Sequence, residues 1–191
     1  MADLITLDYY KIMEGIASTK EDEKLEILIT SVSQLVKTYC ANSIVDYYSV
    51  NKTEYFNLDY PIEIIQLTES PVKEIVSVDI KEIQDTSYTV LAASEYYLDD
   101  KTDSLIRISG TSTTAWPKGP GGIKVVYKAG YADTPADLKL AVVDLVTYYH
   151  RDEHKQRQTL SGATQENQDR GVSKGFPDHI RRVLDLYRLV V

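Results

Sequence analysis

Two histidines four residues apart, His150 and His154, bracket Arg151, Asp152 and Glu153 and match the inverted zincin arrangement. One turn of helix would then offer two imidazoles to a metal and a carboxylate to its bound water, and the chemistry would be metal-assisted hydrolysis. A third ligand is needed, and the one further histidine within reach of the pattern is His179. The motif falls at a predicted helix C-terminus, where the last carbonyls favour cations without any metal. The solvated helix end is therefore preferred, and no metal or other cofactor is expected.

Other chemical candidates have equally plain alternatives. Trp116-Pro-Lys-Gly-Pro-Gly-Gly122 is glycine-rich, but it lacks the Gly-Lys-Ser/Thr ending of a phosphate loop and leads into a strand. Pro120 also removes an amide that a phosphate nest would use. The stretch reads as a turn before a strand, with Trp116 either a ligand platform or, preferably, a ring closing one end of a β region. Asp99, Asp100 and Asp103 would offer oxygens to calcium, yet the terminal bidentate Glu is missing, so a solvated hairpin turn is simpler. Cys40, the single cysteine, falls on an apolar helix face and reads as a small core residue. No nucleophile, base and acid fall into a catalytic order, and the chain is not expected to be an enzyme.

The elements around these residues fall into two kinds. A short helix opens at Thr6 and stops at Gly15. A longer one starts at a capping box, Ser18-Thr-Lys-Glu21, and aligns Leu25, Leu28, Ile29, Val32, Leu35, Val36, Tyr39 and Cys40 on one face. From Thr53 to Tyr131 the period changes to two. Strands are predicted at 54–58, 62–67, 75–80, 88–91, 96–98, 105–109 and 123–128, enough for a small sandwich or barrel. A third helix opens with Thr134 as N-cap and Pro135 at its first position, and presents Leu138, Ala141, Val142, Leu145, Val146 and Tyr149. Gly130, where the strand turns toward that helix, is expected at positive φ. Residues Gln156 to Gly175 are too polar to offset their ordering entropy and read as a mobile loop. A last helix follows Pro177, with Ile180, Val183, Leu184 and Tyr187 on one side and an apolar end, Leu189, Val190 and Val191.

The fold class that follows is α+β: an antiparallel helical bundle core from residues 1–50 and 132–191, with a small antiparallel β-sandwich or barrel-like insertion at 51–131. At 191 residues the chain can bury a core without staples. Its 29 acidic and 21 basic residues give a formal charge of −8, which disfavours attraction to a phosphate backbone as the main task. No apolar run approaches the roughly 18 residues of a membrane span, so no membrane partner is expected. The N-terminus has neither basic region nor cleavage site, which points to synthesis in a cytoplasm. Fifteen tyrosines against two phenylalanines suit half-buried sheets and contact surfaces.

Leu4-Ile-Thr-Leu-Asp8, the long second helix ending in Tyr39-Cys-Ala, Ser70-Pro-Val-Lys-Glu-Ile-Val-Ser-Val78, Val126-Tyr-Lys-Ala-Gly-Tyr131, Thr134-Pro-Ala-Asp-Leu-Lys139 and Tyr148-Tyr-His-Arg-Asp-Glu153 follow one another in an order that resembles the head-tail connector, or adaptor, proteins of tailed DNA bacteriophages. The resemblance runs from Leu4 to Tyr187. It implies a structural protein of the virion neck, assembled as a ring of about twelve copies between the portal protein and the next neck, stopper or tail component. Double-stranded DNA would pass through the ring without sequence-specific binding. The C-terminal segment, Phe176 to Val191 with Phe176, Ile180, Val183, Leu184, Tyr187, Leu189, Val190 and Val191, would dock on the portal. Removing it is expected to leave the domain folded. The alternative is a β-sandwich binding module of a tail or baseplate protein, holding a carbohydrate or peptide on Trp116, Tyr96 and Tyr97.

Overall fold

The computed structural model describes residues 1–151, 158–160, 163–165, 172–173 and 176–189. The fold is α+β and divides into two compact units, Met1–Asn42 with Asp133–Val190, and Ser43–Ala132. The second unit begins earlier than residue 51, and the reason is in the backbone. The carbonyl of Ile44 accepts from Tyr131 N at 2.7 Å and that of Tyr47 from Ala129 N at 3.1 Å, so these residues fold with the sheets.

That unit holds β1 (Lys52–Leu58), β2 (Ile64–Gln66), β3 (Val72–Ile80), β4 (Thr89–Val90), β5 (Tyr96–Asp99), β6 (Ser104–Ser109), β7 (Ser112–Thr113) and β8 (Gly119–Ala129). One antiparallel sheet runs β1-β8-β3-β4 and the other β2-β6-β5, with β7 paired to β6. All seven predicted strands are present. Alternation along β8 buries Ile123, Val125, Tyr127 and Ala129, which join Val78 of β3, Ile65 of β2, Leu105 of β6 and Trp116 in one cluster. Both sheets thus feed a single core, as facing layers of a sandwich do. Trp116 is 0% exposed and cannot be a ligand platform.

Two turn readings change. Asp99 behaves as a hairpin residue, its carboxylate accepting from Lys101 N at 3.0 Å and from the Thr102 hydroxyl at 2.9 Å. Asp103 does not stay solvated: it is buried, at φ +51°, and accepts from Ser70 Oγ at 2.5 Å and Val72 N at 2.8 Å. The glycine-rich stretch is not wholly a turn either, since Gly119 to Gly122 already belong to β8. A register shift between Phe56 and Leu58 of β1 absorbs the extra residues there.

In the helical unit, α1 (Leu7–Glu14) is capped by the Thr6 hydroxyl, which accepts from Tyr9 N at 3.2 Å. It ends where Gly15, at φ +67°, lets the following amides reach back to Ile12 and Lys11. α2 (Asp22–Cys40) starts without the expected capping box. Ser18 Oγ instead accepts from Lys20 N at 3.3 Å, inside the turn before the helix, and Glu21 takes the cap position with no side-chain bond to the backbone. The buried stripe of α2 is Leu25, Ile29, Val32, Val36 and Cys40, narrower than predicted because Leu35 is exposed. α3 (Ala136–His150) takes Pro135, not Thr134, as its cap residue, a shift of one position. The Pro135 carbonyl accepts from Lys139 N at 2.8 Å.

α3 buries Leu138, Ala141, Val142, Val143, Leu145 and Val146, and so is covered around more than one face. α4 (Asp178–Leu186) follows Pro177 and packs on α2 and α3, while α1 packs on α2. Each buried Leu, Ile or Val contributes roughly 1.5–3 kcal/mol. The polar stretch expected as a loop carries paired backbone where it is described: β9 (Gln158–Leu160) with β10 (Ala163–Gln165), and β11 (Val172–Ser173) with β12 (Phe176–Pro177). Among the described residues no helix is long and apolar enough to cross a membrane.

Candidate functional site

The histidine motif is not assembled as a metal site over its described part. α3 ends at His150, and Arg151 is already its C-cap. His150 Nε2 lies 2.7 Å from Glu21 Oε2, a bond that holds the Glu21 carboxyl below its ordinary value, and Arg151 bridges to Glu14 at 3.0 Å. His179 faces Asp144 at 3.9 Å instead. Glu153 and His154 lie outside the described residues. Among the described residues no cluster of His, Cys, Asp and Glu is placed to hold a metal.

The glycine-rich strand start offers no phosphate cradle. The N–H of Gly121 donates to Asn57 Oδ1 at 2.6 Å, and its carbonyl accepts from the Tyr88 hydroxyl at 2.7 Å, so the groups a phosphate would need are used by the sheet. Tyr97 is exposed and Tyr96 half-buried on β5, but with Trp116 sealed in the core they form no aromatic platform with it. Cys40 is fully buried, its thiol pushed up to about 12 by burial and then by Asp185.

The polar group that sequence reasoning missed is structural. Lys52 Nζ contacts Glu54 Oε1 at 2.9 Å, Glu69 Oε1 at 2.8 Å and Thr68 Oγ1 at 2.6 Å, with all three charged side chains mostly shielded. Thr68 donates its hydroxyl to Glu54, and Glu69 accepts from Ser43 N at 2.7 Å and Ser43 Oγ at 2.9 Å. Burial alone would lower the Lys52 value, but the bonds to Glu69 and Glu54 outweigh it and the ammonium is held above its usual range. Tyr127, deeper still, is raised by burial and by the neighbouring Glu54. The signal was present: Lys52 and Glu54 share the parity of Phe56 and Leu58, and so share their inward face.

Of the residues assigned to docking, Phe176, Ile180 and Leu184 are buried within the helical unit, and Val183, Tyr187 and Leu189 are half-buried. The ring of Phe176 meets Tyr39 edge-on at 4.9 Å. Tyr39 donates to Asp185 at 2.6 Å, Cys40 Sγ reaches the Leu184 carbonyl at 3.5 Å, and Leu189 N donates to the Cys40 carbonyl at 2.9 Å. Phe176 and α4 therefore pack into the core of the helical unit, where the sequence reading takes the segment as a separable docking element. Val190 and Val191 lie outside the described residues. Gly130 has φ +95°, and Pro135 caps α3.

The sequence profile described as head completion protein matches residues 3–190. The head completion protein of Escherichia phage T5 is 24% identical over 189 residues, covering 98% of this chain and 99% of that protein. Among solved structures, a chain in the neck of an empty GTA particle computed with C6 symmetry aligns with TM-score 0.64 at 15% identity, over 98% of this chain and 91% of that one. A chain in the virion of a native gene transfer agent particle aligns at 0.61 and 16%, over 98% and 91%. One in the neck of a native GTA particle computed with C12 symmetry aligns at 0.54 and 14%, over 100% and 95%.

Proposed function

This chain belongs to the head completion protein family, whose members are structural virion components of the neck and not enzymes, and we propose that it forms a ring between the portal and the next neck or tail component. The family match across residues 3–190 carries the reading, because it takes in both units. A ring of about twelve copies is favoured, in keeping with a neck of similar fold computed with C12 symmetry. The helices, read as an antiparallel bundle, supply the lateral walls. The ring would form part of the DNA conduit, and a net charge of −8 keeps a passing duplex from adhering.

The C-terminal segment is assigned to portal docking. Phe176, Ile180 and Leu184 root it in the helical unit, and its end from Leu189 onward makes the contact. Such a protein is made in the host cytoplasm and works in the virion. Cryo-electron microscopy of the virion neck tests the assignment: one symmetric layer of this chain directly below the portal is expected. A neck in which the layer is absent would overturn it.

A further inference from the structure

Two exposed surfaces of the helical unit carry side chains of opposite charge, and the helix at each of them bears a bare apolar side chain. On α1, Ile12 is 79% exposed and Met13 47% exposed. At the start of the same helix Asp3 and Glu26 line an open pocket of about 420 Å³ with Thr6 and Leu7. Asp3 accepts there from the Thr30 hydroxyl at 3.0 Å, while the Glu26 side chain has no hydrogen bond or ion pair among the described residues. On α4, Leu186 is 76% exposed, and one turn before it stands Arg182. Arg181 is paired with Asp185 at 3.5 Å, but the Arg182 guanidinium is exposed and has no bond among the described residues.

We propose that these surfaces are the two halves of one head-to-tail contact between copies of this chain, with Arg182 of one copy seated in the Asp3–Glu26 pocket of the next and Leu186 laid over Ile12. A guanidinium presents a fork of donors suited to two carboxylates, and the pocket supplies two with one of them unmatched. Arg182 and Leu186, at i and i+4, stand on one face about 6 Å apart along the helix, so both can engage a single neighbour. The halves are unlike and each chain carries both, which is the condition for a closed ring and not for an isologous pair. The opposite charges of the two halves complement one another, and a second copy is the occupant they fit. The proposal rests on the ring reading above and specifies the surfaces that build it.

The test uses intact particles. Virions carrying Ile12→Cys and Leu186→Cys in the same chain are oxidised with copper–phenanthroline, and the chains are separated under denaturing conditions. Buried Cys40 stays out of the reaction. A ladder of covalently joined chains is expected from the double variant and only monomer from either single variant. Monomer from the double variant, or dimers from a single one, would overturn the contact. As a second readout, Arg182→Glu should lower incorporation into necks at least tenfold, with Glu26→Arg in the same chain restoring most of it; no loss, or no restoration, counts against the pairing. Necks with a normal complement of wild-type chain but no ladder sink this contact and leave the ring standing. Necks that lack the wild-type chain sink both.

Discussion

Gly130 lies against the carbonyl of Ile44 so closely that a Cβ placed on it would sit 3.0 Å from the carbonyl carbon and nearer still to the oxygen, while the next amide, Tyr131 N, donates to that same oxygen at 2.7 Å. The chain segment entering the sheet unit and the one leaving it are thus held back to back. Ile44 is itself at φ +63°, an uncommon conformation for a β-branched residue, and is buried. Gly130 N donates to the Pro71 carbonyl at 2.8 Å, which ties the start of β3 to the same corner.

Gly130→Ala therefore meets two costs at once, a positive φ and a collision with backbone that cannot rotate away. Strain of this kind costs about 1–3 kcal/mol, and the collision adds to it. Urea unfolding should show a clear fall in midpoint with little change in slope, and Gly130→Val should fall further. A midpoint equal to that of the parent protein would show that the corner yields freely.

Lys52→Met leaves Glu54 and Glu69 facing each other with no cation between them. Breaking a buried pair costs about 3–5 kcal/mol, and partial exposure of these groups lowers the expectation to about 2–4. The double variant with Glu69→Gln should recover part of the loss. The sign with pH follows from the direction of the shift. Lys52 is held above the ordinary lysine value of 10.5, so its contribution is fully present below about pH 10.5 and fades as pH rises through the folded-state value. The stability gap between parent and variant should accordingly be constant from pH 7 to 9 and narrow above 10.5. A gap that widened there would reverse the assignment.

The strand pattern was legible because alternation has only two phases, and Ile123, Val125 and Tyr127 fall into the buried one. What stayed hidden depended on partners distant in sequence. Asp103 looks like any turn aspartate until the Ser70–Pro71 segment arrives to be bonded by it. Ser18 fits the capping-box spacing, yet a hydroxyl can equally serve an amide two residues on, and here it does. The C-terminal helix was less legible for a different reason. An amphipathic helix beyond a polar stretch has the same pattern whether its apolar side meets its own core or another protein, and only the contacts of Phe176, Ile180 and Leu184 decide.

Those contacts make a last expectation about Cys40. With the thiol pushed up to about 12 from 9, roughly a thousandfold less thiolate is present at pH 8 than in an unhindered cysteine, and iodoacetamide should label the folded protein barely at all. Leu184→Ala opens a cavity beside it and should cost about 2–4 kcal/mol. Deleting Phe176 to Val191 removes the whole cover, so Cys40 should then be alkylated in native buffer at a rate near that of the urea-unfolded chain, with a lowered melting temperature. Slow labelling and an unchanged melt in the truncated protein would mean that α1, α2 and α3 close over Cys40 unaided. The segment would then be free to serve docking alone.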